Sequence, residues 1–137
     1  MKVIDLQGKE HTINLSAYFV KQDDSRPRSK YHLRARGILQ NLYPTQPLLE
    51  EIFIPGLKLY LDFYLPNRRV AVEVQGEQHY SFNNHFHTSK LDLFRQKKLD
   101  NQKLEWCELN EIRLVRLKYD GTDSEWTDNI KCSGEDG

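Results

Sequence analysis

The sequence predicts an α/β protein in which helices flank one central mixed β-sheet, in the order helix, three strands, helix, strand. Three observations lead to this fold class: a helical repeat of apolar residues after Ser29, three short alternating runs between residues 48 and 75, and a second helix and strand after residue 89. The chain has 137 residues, a length typical of one domain. We expect this domain to cover residues 1–119, with its core at about 29–118 and an acidic, flexible tail at 120–137.

The first twenty residues predict a short strand, a turn at Gly8 and then a second strand or short helix. Ser29 is a suitable N-cap for the first long helix, whose apolar residues recur at helical spacing until Pro44 ends it. The turn formers Pro55-Gly56 and Pro66-Asn67 then separate three predicted strands, at 48–55, 57–66 and 69–75.

After a loop at 81–88, a helix is predicted at about 89–109 and a fourth strand at 112–119. This helix has two apolar stripes, and Asp100 projects into the narrower one. An unpaired buried charge is costly, so Asp100 needs a partner there, and Lys103 three residues further on is one candidate. The broader stripe consists of Leu91, Phe94, Leu99, Trp106 and Leu109, and the narrower one of Leu93, Leu104 and Cys107.

Composition excludes several classes of protein. A hydrophobic share of 38% is enough for a packed core, and the sequence has neither an apolar run of 18 residues nor a signal-peptide pattern. We therefore expect an intracellular, cytoplasmic protein, and the resemblance described below implies a bacterial or phage-infected cell. Cys107 and Cys132 lack metal-motif spacing and are expected to be free thiols. A zinc site built on His85 and His87 is not favoured, because no CxxC accompanies them.

The 20 basic and 20 acidic residues balance, but they are unevenly distributed. Residues 25–49 contain no acid and carry a cluster of basic side chains, which predicts a phosphate-binding surface. The alternative is an ordinary solvated helix face. The basic residues are Arg26, Arg28, Lys30, Arg34 and Arg36.

The second and third strands bring two acids together if the hairpin loop between them has an even length. Residues whose numbers sum to 135 are then paired, so Asp62 lies opposite Glu73 on one face, and Gln75 follows two positions later. Like charges in such a pair are destabilising and call for a proton, a basic neighbour or a divalent cation. An odd loop would place the acids on different faces, where both would be ordinary surface residues.

The spacing of Asp62, ten residues and then Glu73-Val74-Gln75 resembles the signature of PD-(D/E)xK nucleases, with Gln75 where lysine is usual. The following GEQH, residues 76–79, and the stretch DNQKLEWCELNEIRLVRL, residues 100–117, resemble the branch that contains the very-short-patch repair endonuclease and the EDxHD homing endonucleases, including phage-type enzymes. The resemblance runs from about residue 29 to 117. It implies a restriction-endonuclease-like core that cuts double-stranded DNA with Mg²⁺ or Mn²⁺.

The resemblance also implies roles for individual residues. Asp62 would be the central metal-binding carboxylate and Glu73 a second metal ligand. His79 would be the general base or orient the attacking water, and Asp100 would support His79. Gln75 would occupy the variable position. Glu51 is the preferred leading acid and a third metal ligand, with Glu50 and His32 as alternatives.

The predicted function is therefore a metal-dependent, site-specific DNA endonuclease of the homing type. A repair nickase or a junction resolvase would share the same fold. Specificity would come from loops, from homodimerisation or from a partner. Two other classes remain open: a catalytically silent DNA-binding module, in which Gln75 marks a lost active site, and a basic interaction domain unrelated to DNA.

Overall fold

A computed structural model describes residues 1–21, 26–76 and 90–132 of the chain. No helix within these ranges is both long and apolar enough to cross a membrane. The elements are β1 (Lys2–Ile4), β2 (Glu10–Thr12), a 3₁₀ helix (Leu15–Tyr18), α1 (Lys30–Leu42), β3 (Leu49–Ile54), β4 (Leu59–Leu65), β5 (Val70–Gln75), α2 (Lys90–Leu109), β6 (Arg113–Lys118) and α3 (Asp123–Cys132).

The main sheet has four strands in the order β3-β4-β5-β6. The first three pair antiparallel as successive strands, whereas β5 and β6 pair parallel, with α2 between them in sequence. A parallel pair requires a crossover connection, and a helix commonly provides it. The α/β class, the mixed sheet and the order of helices and strands from α1 to β6 are therefore confirmed. The strand pair β1–β2 and the 3₁₀ helix also agree with the prediction for the first twenty residues.

Local sequence signals explain both ends of α1. The Ser29 hydroxyl accepts a hydrogen bond from the backbone N–H of His32 at 3.1 Å, so Ser29 is the N-cap as predicted. At the other end the backbone N–H of Tyr43 donates to the carbonyl of Leu39, and Pro44 follows. The helix packs its buried Ala35 and Leu39 against the sheet.

The sheet separates two hydrophobic cores, because successive side chains of a strand point to opposite faces. Phe63, Val70 and Val72 belong to the core that α1 and α3 cover. Tyr64 and Ala71 belong to the opposite core, with Trp106 and Cys107 of α2 and the β1–β2 hairpin. Glu73 lies two residues after Ala71 on the same strand, so its side chain points to the same face of the sheet, toward α2.

The prediction of a flexible tail at 120–137 is wrong for its first part, where α3 forms. Thr122 and Glu125 make a reciprocal capping box: the Glu125 N–H donates to the Thr122 hydroxyl, and the Thr122 N–H donates to the Glu125 carboxylate. Trp126 and Ile130 are then buried in the α1-side core. Burial of these two apolar residues holds an otherwise acidic segment on the domain.

The broader apolar stripe predicted for α2 does not face the core. Leu91 and Phe94 are 53% and 65% exposed, and Leu99 and Leu109 are exposed as well; only Trp106 of that set is buried. The narrower stripe is the one that faces the sheet, with Cys107 fully buried and Leu104 partly buried. Toward the start of α2 the sheet-facing stripe becomes polar.

Candidate active site on the α2 side of β4 and β5

Asp62 and Glu73 meet where the backbone pairing of β4 and β5 ends. The ladder runs from Leu65↔Val70 to Phe63↔Val72, which confirms the even register with sums of 135. At the next position, Asp62 and Glu73, hydrogen bonds to side chains replace the backbone hydrogen bonds between the two strands. The Asp62 N–H donates to Glu73 Oε2 at 2.9 Å, and the Val74 N–H donates to Asp62 Oδ2 at 2.8 Å. The two acids are thus fixed against each other by their own strands.

This arrangement alters the ionisation of Asp62. Burial, followed by the negative charge of Glu73, raises the pKa of the Asp62 carboxyl from its ordinary 3.8 to about 8; the Val74 N–H and Lys103 oppose the rise but do not cancel it. Glu73 is buried, whereas Asp62 keeps part of its surface open to solvent. A proton near neutral pH, or a cation from solution, can therefore relieve the repulsion at Asp62.

Lys103 is the basic neighbour of this pair. Its Nζ lies 2.5 Å from Glu73 Oε1, and both side chains are largely buried. We expected Lys103 as a structural partner of Asp100, one turn earlier on α2, but the structure pairs it with Glu73. The lysine therefore belongs to the carboxylate cluster on the sheet, where its direct contact is with Glu73.

Asp100 projects toward the sheet from α2, as the narrower stripe predicted. Its Oδ1 accepts a hydrogen bond from the Gln96 side chain at 3.3 Å, and its backbone carbonyl accepts one from Arg116 at 2.5 Å. Arg116 lies on β6 at the position paired with Glu73. Asp100 and Glu73 therefore lie on either side of one arginine.

The structure describes Gln75 but not His79. Gln75 is buried at the end of β5, two residues after Glu73, and is paired with Lys118 of β6. This position on the α2 side agrees with the predicted face. His79 lies outside the described residues, so its predicted role stays a prediction; His85 and His87 also lie outside them.

Among the three alternatives for the leading acid, Glu50 and His32 are bound to each other. Glu50 Oε1 lies 2.7 Å from His32 Nε2 and also accepts hydrogen bonds from Arg28 and Arg36. Burial would raise the pKa of Glu50, but the hydrogen bonds from His32, Arg36 and Arg28 outweigh it and hold the pKa below its usual range. His32 also stacks on Phe63, in the α1-side core. This cluster therefore holds α1 to β3, on the side of the sheet opposite Glu73.

Glu51 is the acid that the register sets across from Asp62. The pairs on either side of it are Glu50↔Phe63 and Ile52↔Leu61. Glu51 has φ of 53°, a left-handed conformation that a non-glycine residue adopts in a strand only at a cost. Its side chain is 39% exposed. The backbone distortion of β3 thus coincides with the position opposite Asp62.

The basic residues predicted to bind DNA are mostly used inside the protein. Arg28 and Arg36 bind Glu50. Arg34 was expected on an open face, but it donates to Asp123 and to the Gly121 carbonyl, with its guanidinium 3.8 Å from the Trp126 ring centre. The unpredicted helix α3 therefore covers it. Arg26 and Lys30 remain exposed, although Arg26 also lies 3.6 Å from Glu51.

The donor set decides which metals the site could hold. Within residues 1–21, 26–76 and 90–132, no group of three or more His, Cys, Asp or Glu side chains is arranged around a common metal position. The pair of carboxylates at Asp62 and Glu73 suits Mg²⁺, which uses one or two carboxylates and keeps several waters. Cys107 does not extend the set, because burial and then the charge of Glu73 raise its pKa to about 12.

Two residues of the cluster were not predicted as site residues, namely Lys103 and Arg116. The signal for Lys103 lies in the sheet-facing stripe of α2, where Gln96, Asp100 and Lys103 recur at helical spacing among apolar residues. The signal for Arg116 is the alternation of β6, which places it on the same face as the partly buried Leu114. A polar residue in an apolar alternation indicates a buried partner.

No protein-family model and no solved structure matches this chain. The chain is 35% identical to uncharacterized protein 033L of Invertebrate iridescent virus 3 over 66 residues, which is 48% of this chain and 34% of that protein. It is 35% identical to uncharacterized protein 094L of Frog virus 3 over 71 residues, 51% of this chain and 46% of that protein. The chain thus matches less than half the length of these viral relatives, and their descriptions name no activity.

Proposed function

We propose that the protein is a Mg²⁺- or Mn²⁺-dependent DNA endonuclease with a restriction-endonuclease-like core, cutting site-specifically as a homing-type enzyme does. The observation that supports it is the pair of carboxylates at Asp62 and Glu73, held together although burial and mutual repulsion raise the pKa of Asp62 to about 8. A pair of mutually repelling carboxylates is suited to binding a cation, because the cation relieves the repulsion. The sequence resemblance assigns the same two acids to a nuclease centre.

The residues present fit a divalent metal ion. Asp62 and Glu73 would hold it, whereas the Glu51 carboxylate lies 3.6 Å from Arg28, which binds Glu50 on the opposite side of the sheet. A bound metal ion would polarise a phosphoryl oxygen and lower the pKa of water. The chain itself would orient the carboxylates through the Asp62 and Val74 N–H groups, and Asp100 would support His79. His79 would accept the proton of the attacking water.

DNA would approach this centre from the α2 side, because Glu73 and Lys103 lie there. The first half of α2 carries exposed cations suited to phosphate contacts, which are Lys90, Arg95, Lys97 and Lys98. Arg26 beside Glu51 could add a contact from the predicted basic segment. Exposed cations on the helix that contacts a partly open carboxylate pair are suited to a phosphodiester substrate.

A plasmid-cleavage assay with Mg²⁺ or Mn²⁺ tests the proposal. The wild-type protein should convert supercoiled DNA to nicked or linear forms, and Asp62→Asn should reduce the rate by at least about 100-fold, because it removes a charged metal ligand. Asp128→Asn, which changes an exposed acid on α3, should cut like wild type. Sequencing the product ends would then separate site-specific cutting from nicking and from resolution of branched DNA.

A catalytically silent DNA-binding module is the second candidate, and the glutamine at position 75 favours it. Such a protein would shift DNA on a gel with a strong dependence on salt, yet never cut it with any divalent metal. That combination of results would contradict the nuclease proposal. A protein that neither binds nor cuts DNA would contradict both and leave the basic interaction domain.

A further inference from the structure

The cluster contains a lysine whose position on the helix, rather than on the strand, gives it access to the carboxylate pair. Lys103 reaches across from α2, and its Nζ contacts Glu73 Oε1 at 2.5 Å. Gln75, two residues after Glu73, is neutral and buried at the end of the same strand. Among the described residues that contact Glu73, Lys103 therefore supplies the ammonium group, and it lies on α2 rather than on β5.

We propose that Lys103 is the catalytic cation of this centre and replaces the charge missing at Gln75; this inference rests on the proposed nuclease function. An ammonium group carries three donors, and the bond to Glu73 uses one of them. The others would donate to a non-bridging oxygen of the scissile phosphate. Negative charge grows on these oxygens during hydrolysis, so a fixed cation there stabilises the transition state more than the bound substrate.

The reaction itself leaves Lys103 unchanged. The water oxygen forms a bond to phosphorus as the bond to one sugar oxygen breaks. One water proton ends on the departing sugar oxygen, and the other stays with the new phosphate monoester or passes to solvent. Lys103 donates hydrogen bonds throughout and gives up no proton.

A purely structural role for Lys103 makes different predictions. If the lysine only neutralised Glu73, then its removal would weaken the fold and loosen the carboxylates together. If it acts on the phosphate, then its removal should spare metal binding, because a cation competing for Glu73 has been taken away. The two roles are thus separated by metal affinity as well as by cleavage.

The experiment compares wild type, Lys103→Met, Lys131→Met and the double variant Lys103→Met/Gln75→Lys. Cleavage is measured with Mn²⁺, and Mn²⁺ binding is measured separately by calorimetry without DNA. Lys103→Met should cut about 100-fold more slowly, the cost typical of losing one donor to transition-state charge. Its Mn²⁺ affinity should equal or exceed that of wild type. The exposed Lys131→Met should change neither, and Gln75→Lys should restore at least about ten-fold in the cleavage rate of Lys103→Met.

Each other outcome has a defined meaning. If wild type cuts and Lys103→Met cuts equally fast, the assignment of Lys103 is overturned while the nuclease proposal stands. If Mn²⁺ affinity falls as far as cleavage does, then Lys103 is structural. A folded double variant that stays inactive also overturns the assignment; it is the decisive protein if Lys103→Met alone does not fold. A wild type that never cuts overturns both.

Discussion

At the scale of a single residue, the surroundings of Asp62 have two opposing effects on the pKa of its carboxyl group. Its side chain oxygen accepts the Val74 N–H, which favours the ionised carboxylate, while burial and Glu73 favour the protonated form. Burial and the charge of Glu73 have the larger effect, so the pKa of Asp62 is about 8. Without a cation, the folded protein therefore holds a proton at Asp62 that the unfolded chain releases near pH 4.

The stability of the metal-free protein should consequently depend on pH through Asp62. Below about pH 4 the acid is protonated in both states. Between pH 4 and pH 8 only the unfolded chain releases the proton, so stability falls as pH rises, and above about 8 the loss is complete. Asp62→Asn removes this loss and should be more stable than wild type by about 1 to 3 kcal/mol at pH 8.

Urea denaturation in EDTA at pH 4, 6 and 8 measures this difference. Its growth from pH 4 to pH 8 is the diagnostic sign, and Asp128→Asn serves as the matched control on an exposed acid. Equal stabilities of Asp62→Asn and wild type at every pH would show that Asp62 is ionised in the folded protein.

Alternation along the strands predicted that Asp62 and Glu73 face each other only if the hairpin loop is even, and the structure supplies that register. It could not decide among Glu50, Glu51 and His32. That choice depends on which cations reach β3: Arg28, just before α1, and Arg36, within it, bind Glu50 on the face of the sheet opposite Glu73. Propensity and spacing carry no information about such contacts.

At the scale of elements, α3 shows how a short local signal can outweigh composition. Acidic, polar sequence after Gly121 suggested a flexible tail, but Thr122-Asp123-Ser124-Glu125 is a capping box. Trp126 follows at once, and its indole N–H donates to the Lys118 carbonyl at 2.8 Å. The helix is therefore fixed by its start and by one large anchor, neither of which a composition count detects.

Substitutions in α3 should divide accordingly. Trp126→Ala should lower the free energy of unfolding by about 3 to 5 kcal/mol, because a fully buried indole leaves a cavity beneath Arg34. Thr122→Ala should cost about 1 kcal/mol, the value of a lost N-cap. Chemical denaturation followed by circular dichroism measures both.

Ser124→Ala, an exposed change within the same first turn, is the control and should be near neutral. Unchanged stability of Trp126→Ala would mean that α3 does not pack on the core in solution.

The two stripes of α2 face in different directions. Of its two stripes, the broader one was apolar but faces away from the sheet, while the narrower one mixes Gln96, Asp100 and Lys103 with buried apolar residues. A count of apolar positions alone therefore does not identify the sheet-facing side of α2. Lys103 lies against the sheet because Glu73, distant in sequence, is its partner there, and Arg116 of β6 donates to the Asp100 backbone carbonyl.

At the scale of the whole molecule, the sequence was enough to predict the order of elements and the mixed sheet. The signals were local: a cap, two Pro-containing turns and clear alternation. Which side of the sheet would meet a ligand was harder to predict from the sequence, because it depends on which face each of α1, α2 and α3 covers. The basic segment on α1 looked open only while α3 was missing from the prediction.

DNA binding should therefore depend on α2 more than on α1. The double change Lys97→Ala/Lys98→Ala should weaken binding at low salt and reduce the slope of log affinity against log salt by about two, one for each lost phosphate contact. Lys30→Ala/Lys131→Ala, on the α1 and α3 side, should leave the slope unchanged. Fluorescence anisotropy with a catalytically inactive Asp62→Asn background measures the slopes without cleavage.

The opposite result, a reduced slope only for the Lys30 and Lys131 variant, would place DNA on the α1 face, as the basic segment suggested.

The parallel pairing of β5 with β6 has a consequence for the order in which the protein can assemble during synthesis. β5 carries Glu73, yet one of its two neighbours in the sheet lies at residues 113–118, some forty residues later in the chain. Until β6 leaves the ribosome, β5 is an unprotected sheet edge, and Val115 and Leu117 are missing from one core. The surroundings of Asp62 and Glu73 are therefore completed late in synthesis. A chain interrupted before β6 would carry both acids without the neighbouring strand that pairs with β5.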